Sequence, residues 1–175
     1  ESQLKRLPEK ILDILQRKSS SIVFSPDEKK ILYSASGNET IPDGLIPPLP
    51  GASTQRQERA IKEGQTYVYD IKEDRNFLVS SEAVKLDIYK YLSDNNENES
   101  PKKALHWFPT SSHLVLAEAD RVSITDYDGT NSQTVYSGSY QSPHAYPFSN
   151  RARMLILTNL GASSTPTNLY SLTLK

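Results

Sequence analysis

The sequence predicts an all-β fold of short antiparallel strands, and three observations carry that expectation. Short apolar runs recur along the chain, bounded by clusters of Pro, Gly, Asn, Asp and Ser. Strand-like runs do not alternate with helical ones, as a parallel α/β sheet would require. And one phrase is written three times: "FSPDEKKILY" from Phe24, "WFPTSSHLVL" from Trp107 and "YPFSNRARMLIL" from Tyr146.

Taken in order, residues Leu4 to Lys18 read as a helix that starts near Pro8, because proline suits a first helical turn and Ile11, Leu12, Ile14 and Leu15 fall at helical spacing. A strand through "KILDIL" is the rival reading. "SSIVFS" and "KKILYSAS" form a hairpin around Ser25-Pro26-Asp27-Glu28, where Pro26 fixes φ and Asp27 can bond the backbone beyond it. Residues 37–64 break the pattern with Pro42, Pro47, Pro48 and Pro50 and with Gly44 and Gly51, so no central strand is expected there but an exposed excursion. "QTYVYDI" and "FLVS" follow as strands, with Thr66, Val68 and Asp70 on one face and Tyr67, Tyr69 and Ile71 on the other. Residues 81–103 are a second excursion, in which "AVKLDIYKYL" reads equally as helix or strand and "SDNNENESPKK" as a solvated loop. From Ala104 the strands come quickly: "ALHWF", "HLVLAEA", "RVSITDYD", "QTVYSG", "AYPF", "RMLILTNL" and "NLYSLTLK". The turns between them include Asp128-Gly129-Thr130-Asn131 and Ser149-Asn150-Arg151.

The repeated phrase organises these strands. Phe24, Trp107 and Tyr146 lead the three copies, Pro26 matches Pro109, and the apolar run begins seven residues after each of the first two aromatics. The third copy is one residue longer. Trp107 and Tyr146 are 39 residues apart, whereas Phe24 and Trp107 are 83 apart with both excursions between them. A repeat of about 40 residues built from four short antiparallel strands is the pattern of a β-propeller blade. The expected architecture is therefore a stack of about three four-stranded, propeller-like blades near 21–80, 104–140 and 141–175, behind an N-terminal helical segment at 1–20. In it the leading aromatics fill the space between blades. Three blades do not close a ring, so the stack is an open arc or lacks blades. The Leu4 to Leu15 segment is then the local candidate to cover an exposed blade face. A chain opening on Glu1 reads as a processed or partial form, and "NLYSLTLK" as a natural end.

"FSPDEKKILY" with "TYVYDI", and "VSITDYDGTNSQTVYSG", resemble the WD40-like (PD40) repeats of TolB-type propellers, over roughly residues 22 to 174. Glu28 stands where that family's turn carries glycine, Thr110 replaces its Asp, and the third copy keeps only the aromatic and the apolar run. The resemblance extends to bacterial envelope proteins that combine such repeats with PEGA-type domains. It implies a non-catalytic binding or scaffold module in a larger, extracytoplasmic protein. The alternative is the accessory propeller of a prolyl-oligopeptidase-type serine peptidase whose catalytic domain lies outside this chain.

Composition narrows the function. With 20 basic and 21 acidic residues, net charge −1, there is no electrostatic case for nucleic acid or an anionic membrane. Zero cysteines exclude disulfides, thiol catalysis and Cys-based zinc sites. No apolar run reaches the roughly 20 residues that span a bilayer. His106 and His113 sit in one hairpin, seven residues apart across a turn, but lack further ligands at metal-binding spacing, and His144 stands apart. "DYDGTN" is short of a calcium loop, with Gly129 fourth and no distal Glu. Glu118 and Asp120 lie near a strand end but read as a polar hairpin tip, and no nucleophile elbow or phosphate-binding loop is written. No cofactor, metal or catalytic residue is expected. Pro47, Pro48 and Pro50 form the one partner-binding loop the sequence suggests, through a PxxP pair that an aromatic-lined groove recognises. A protein or glycan partner fits, as does packing against missing blades or another copy. Asn38 and Asn98 head glycosylation sequons, and ten tyrosines suit either a binding surface or half-buried strands.

Overall fold

A computed structural model describes residues 7–47, 55–82, 84–86, 103–148, 153–162, 164 and 166–174. The chain divides into two compact units, Glu1–Leu86 with Tyr127–Gly129, and Asp87–Asp126 with Thr130–Lys175. Strand is the predominant regular structure of the described chain, 47% against 7% helix, and none of its four antiparallel sheets closes on itself.

The first unit begins with helix α1, Glu9–Lys18, entered through Pro8 at φ −53°. Glu9 sits in its first turn and Arg17 and Lys18 in its last, the charge order the helix dipole favours. The helical reading of this segment holds from Glu9; residues 4–6 lie outside the described residues. Strands β1 (Ser19–Phe24), β2 (Lys30–Ala35), β3 (Glu39–Thr40), β4 (Ala60–Ile61), β5 (Thr66–Asp70) and β6 (Arg75–Ser80) follow. The main sheet has the order β1-β2-β5-β6, and β3 pairs with β4 as a separate two-stranded ribbon. All of β5 is buried, because Tyr67 and Tyr69 fill one face while Thr66, Val68 and Asp70 are enclosed on the other. Ile11, Ile14 and Leu15 of the helix join Ile31, Tyr33, Ala35, Tyr67 and Tyr69 in one core. The helix thus covers a face of this sheet. The excursion is not simply exposed: Ile41, which follows β3, and Ile61, in β4, enter the same core. The prolines stop a long strand, but the two isoleucines still gain by leaving water.

The second unit carries β7 (Lys103–Trp107), β8 (His113–Glu118), β9 (Arg121–Asp126) and β10 (Gln133–Ser137) as a four-stranded meander. Strands β11 (Ala145–Pro147), β12 (Arg153–Thr158) and β13 (Asn168–Thr173) make a three-stranded one. These two sheets share a core of Val115, Ala117 and Val122 from the first with Ala145, Met154 and Ile156 from the second, alongside Phe108 and Tyr140. Of "AVKLDIYKYL" only residues 84–86 are described, with Val84 and Leu86 buried; Asn98 and the turn at residues 149–151 lie outside the described residues.

The repeat is visible in turn geometry. The Ser25 amide donates to the Lys30 carbonyl at 2.9 Å and the Glu28 amide to the Ser25 carbonyl at 2.8 Å. Phe108 to His113 and Ser111 to Phe108 repeat these bonds at 2.9 and 3.0 Å. Glu28 and Ser111 occupy the same left-handed conformation, φ 60° and 61°. That region suits glycine, which is what the resembling turn carries at Glu28. In the third copy the leading position shifts. Phe24 pairs with Ile31 and Trp107 with Leu114, but it is Pro147 that pairs with Met154, so Tyr146 lies one residue early. The extra residue of the third copy disappears once the count starts from Pro147.

Candidate functional site

Sequence patterns single out the Pro-rich excursion, and the structure shows what holds it. Its two stems are residues 41–47 and 55–61, and both are tied to the turn between β5 and β6. Asp70, at the end of β5, accepts the Lys72 and Glu73 amides at 2.9 and 3.0 Å, which closes that turn. Burial raises the Asp70 carboxyl above its ordinary range, with those amides and the Lys30 charge opposing. Asp74 ends the turn in a left-handed conformation, φ 50°.

Asp74 is the hub. Its side chain is 6% exposed and accepts the Tyr69 hydroxyl at 2.8 Å and the Leu45 amide at 2.7 Å. Arg59, itself 12% exposed, stands 3.1 Å from the same carboxylate. The Arg59 guanidinium also donates to the Asp74 carbonyl and, at 2.7 Å, to the Pro42 carbonyl, and it pairs with Asp43 at 2.6 Å. One arginine therefore joins the outgoing stem, the returning stem and the sheet. Burial, and then the hydrogen bond to the Asp74 carboxylate, push the Tyr69 hydroxyl far above the ordinary phenol range, so it stays protonated and donating.

Asn76, two residues along in β6, repeats the device. Its side-chain amide donates to the Glu58 carbonyl at 2.7 Å while its own carbonyl accepts the Glu58 amide at 2.7 Å. Its side-chain oxygen accepts the hydroxyl of Tyr33 at 2.9 Å, and Tyr33 stacks on Tyr67 with centroids 5.6 Å apart. Arg75 donates to the Gln55 carbonyl, and the Ile41 amide to the Arg59 carbonyl at 2.9 Å. Pro47 ends the described outgoing stem, exposed; Pro48 and Pro50 lie outside the described residues.

The remaining sequence candidates are placed as follows. Phe24 is half-buried against the helix-covered core, Trp107 is buried, and Pro26 and Asp27 are exposed in their turn. Asp27 accepts the Ser25 hydroxyl at 2.7 Å and the Lys29 amide at 3.2 Å. Pro109 is exposed in the matching turn. Tyr146 is half-buried, its hydroxyl 2.7 Å from His144 Nδ1. Asp128 and Gly129 form the β9–β10 turn, where Gly129 has φ 83° and an added Cβ would stand 2.6 Å from the Leu78 carbonyl oxygen. That position needs glycine twice over, for its φ and for the close backbone. Asn131 caps Asp126 at 2.7 Å, and His113 stands 3.3 Å from the same carboxylate. Glu118 pairs with Arg121 at 2.6 Å and Lys103 at 3.3 Å. Burial opposes ionisation of Glu118, but the two cations outweigh it and hold the carboxyl below its usual range, the wrong direction for a general acid. Among the described residues no three His, Asp or Glu side chains gather as a metal site. No helix among them is long and apolar enough to cross a membrane.

Arg59, Asp74, Asn76 and Tyr69 escape sequence reasoning as a set. The "DRN" in the turn "KEDRN" is their one local signal; Arg59, the partner of Asp74, lies 15 residues upstream of it, in a segment that reads as loop.

No family model matches this chain, and no curated protein matches it. The fold and the site define an antiparallel β protein that carries an anchored loop.

Proposed function

We infer that the chain is a non-catalytic binding or scaffold module of β-propeller type, and that its excursion presents Pro47, Pro48 and Pro50 to a protein partner. The observation that carries this reading is the anchoring of both stems through a buried Arg59–Asp74 pair and through Asn76. A loop that merely connects β2 to β5 needs no buried ion pair, whose desolvation is costly. Fixing the stems lowers the conformational entropy lost on binding, which is how a presented loop gains affinity. The face-to-face core of the two sheets in the second unit supports blade-like stacking, since blades bury their faces against neighbouring blades. On this reading the module belongs to a larger envelope-associated protein.

The test places a photo-crosslinking residue at Pro47 in the protein expressed in its native host, with Gln133 on exposed β10 as the control position. One discrete partner is expected from Pro47, lost when Pro48 and Pro50 are both changed to Ser. Equal labelling from both positions would sink the presented loop. Turnover of ester or peptide substrates by the purified chain would sink the non-catalytic assignment.

A further inference from the structure

Exposed sheet edges invite pairing with other chains, and native proteins blunt them with charge, proline, bulges or shortness. The edges here follow that rule, with one exception. The pairing of β1 with β2 shifts register between Ser19 and Ser21, that of β6 with β5 between Thr66 and Tyr67, and that of β10 with β9 between Thr134 and Tyr136. Strand β7 carries Lys103, and β11 has three residues and Pro147. Strand β13 has none of these devices. It reads NLYSLT, six residues without charge or proline, in unbroken register with β12. Its backbone groups pair with β12 and with nothing else among the described residues. Leu169 is 55% exposed. The sheet it ends has three strands, where each of the two larger sheets has four.

We propose that β13 is a strand-addition edge whose occupant is a second copy of this chain, paired antiparallel about a two-fold axis at Ser171. Three features of the strand select a copy of itself. An uncharged strand brings no like charges opposite one another when it meets its own copy, and a net charge of −1 adds little repulsion at longer range. With the axis at Ser171 the smallest side chain of the central four meets itself. Tyr170 then meets Leu172 of the copy, twice, as favourable aromatic–aliphatic cross-strand pairs. Those residues lie on the face where Tyr170 pairs with Ile156 and Leu172 with Met154, so the dimer continues the buried face of the sheet. Moving the axis to Tyr170 would set Asn168 against Leu172 and Leu169 against Ser171, polar against apolar. On the other face, the Ser171 register sets Leu169 against Thr173 of the copy. A six-residue edge buries less than the roughly 1,000 Å² of a tight interface, so association is concentration-dependent.

Sedimentation of the chain from about 5 to about 500 µM reads the equilibrium. A monomer–dimer transition is expected; a monomer throughout overturns the proposal, including one that captures an extended peptide instead. Leu169 and Thr173 are exposed, and Thr173 faces Arg153 of β12, so circular dichroism and urea unfolding of each variant check that the fold is kept and separate any change within the chain from one between copies. Leu169→Lys with Thr173→Lys sets like charges opposite each other and should weaken dimerisation at least tenfold. Leu169→Lys with Thr173→Glu sets opposite charges opposite each other and should restore it. An unaffected dimer, or no difference between the two variants, overturns the register. Independently, Ser171→Cys should crosslink to its own copy under mild oxidation and Asn168→Cys should not; equal crosslinking counts against the two-fold axis.

Discussion

At pH 7 the His106 imidazole is neutral inside the core between two apolar sheets. It lies on β7 opposite Val115, on the face that packs against Ala145, Met154 and Ile156, and it is 6% exposed. Neither ring nitrogen has a hydrogen-bond partner at ordinary geometry. Burial lowers its pKa to about 4 from an ordinary 6.5, and the neighbouring Ala145 backbone offsets this only in part. The other titratable groups on this face are His113 and Asp126, paired at its open end, Tyr136 opposite Val122, and Tyr140, whose hydroxyl donates to the Glu118 carbonyl. The sign follows directly. Between pH 6.5 and 4 the unfolded chain takes up a proton that the folded chain refuses, so stability falls as pH falls through that window. A shift of this size corresponds to about 3 kcal/mol. The thermal midpoint of the wild type should therefore drop on acidification from pH 7 to pH 4.5, and His106→Met should flatten that limb relative to wild type. Parallel pH profiles for the two proteins would refute the assignment.

At the scale of elements, the excursion and the sheet are joined by buried polar chemistry rather than by apolar area alone. Removing one member of a buried ion pair leaves an uncompensated charge, at a cost of about 3 kcal/mol or more. Arg59→Met should therefore destabilise the chain by about that much in urea unfolding, because Asp74 is enclosed and its other partners, Tyr69 and the Leu45 amide, are neutral. Adding Asp74→Asn should recover part of the loss, and the double-mutant cycle should show coupling above about 1 kcal/mol. Additive effects would mean that the two side chains do not act as a pair. This element also marks where sequence reading stops. The hairpin around Pro26 was legible because its turn chemistry is local, and the helix because Ile11, Ile14 and Leu15 share one face. The anchoring of residues 41–47 and 55–59 was not legible. Arg59 reaches back to Pro42 and forward to Asp74, and neither partner is marked by periodicity. Proline content identified this segment correctly as something other than a long strand, but it is silent on what a loop's side chains bury.

For the whole molecule, the core shared by two sheets makes a testable demand on cooperativity. Each sheet is too thin to bury its faces alone, and in the second unit two consecutive sheets solve this by sharing one core. The short antiparallel strands were legible from apolar runs and turns; the sharing was not, because alternation says which face is apolar but not what meets it. The shared core makes a specific demand on dynamics. Met154 is fully buried on β12 and belongs to the core that also holds Val115 on β8. Met154→Ala removes buried volume at a cost of about 2–5 kcal/mol. If the two sheets open together, that loss must appear in amide exchange on both: the amides of β8 and β9 should lose protection by the same factor as those of β12. Val115→Ala, made from the other side, should speed exchange in β12 in turn. Protection lost only in the strand that carries the substitution would mean that each sheet opens independently, and the blade-like stacking inferred for this chain would lose its energetic basis.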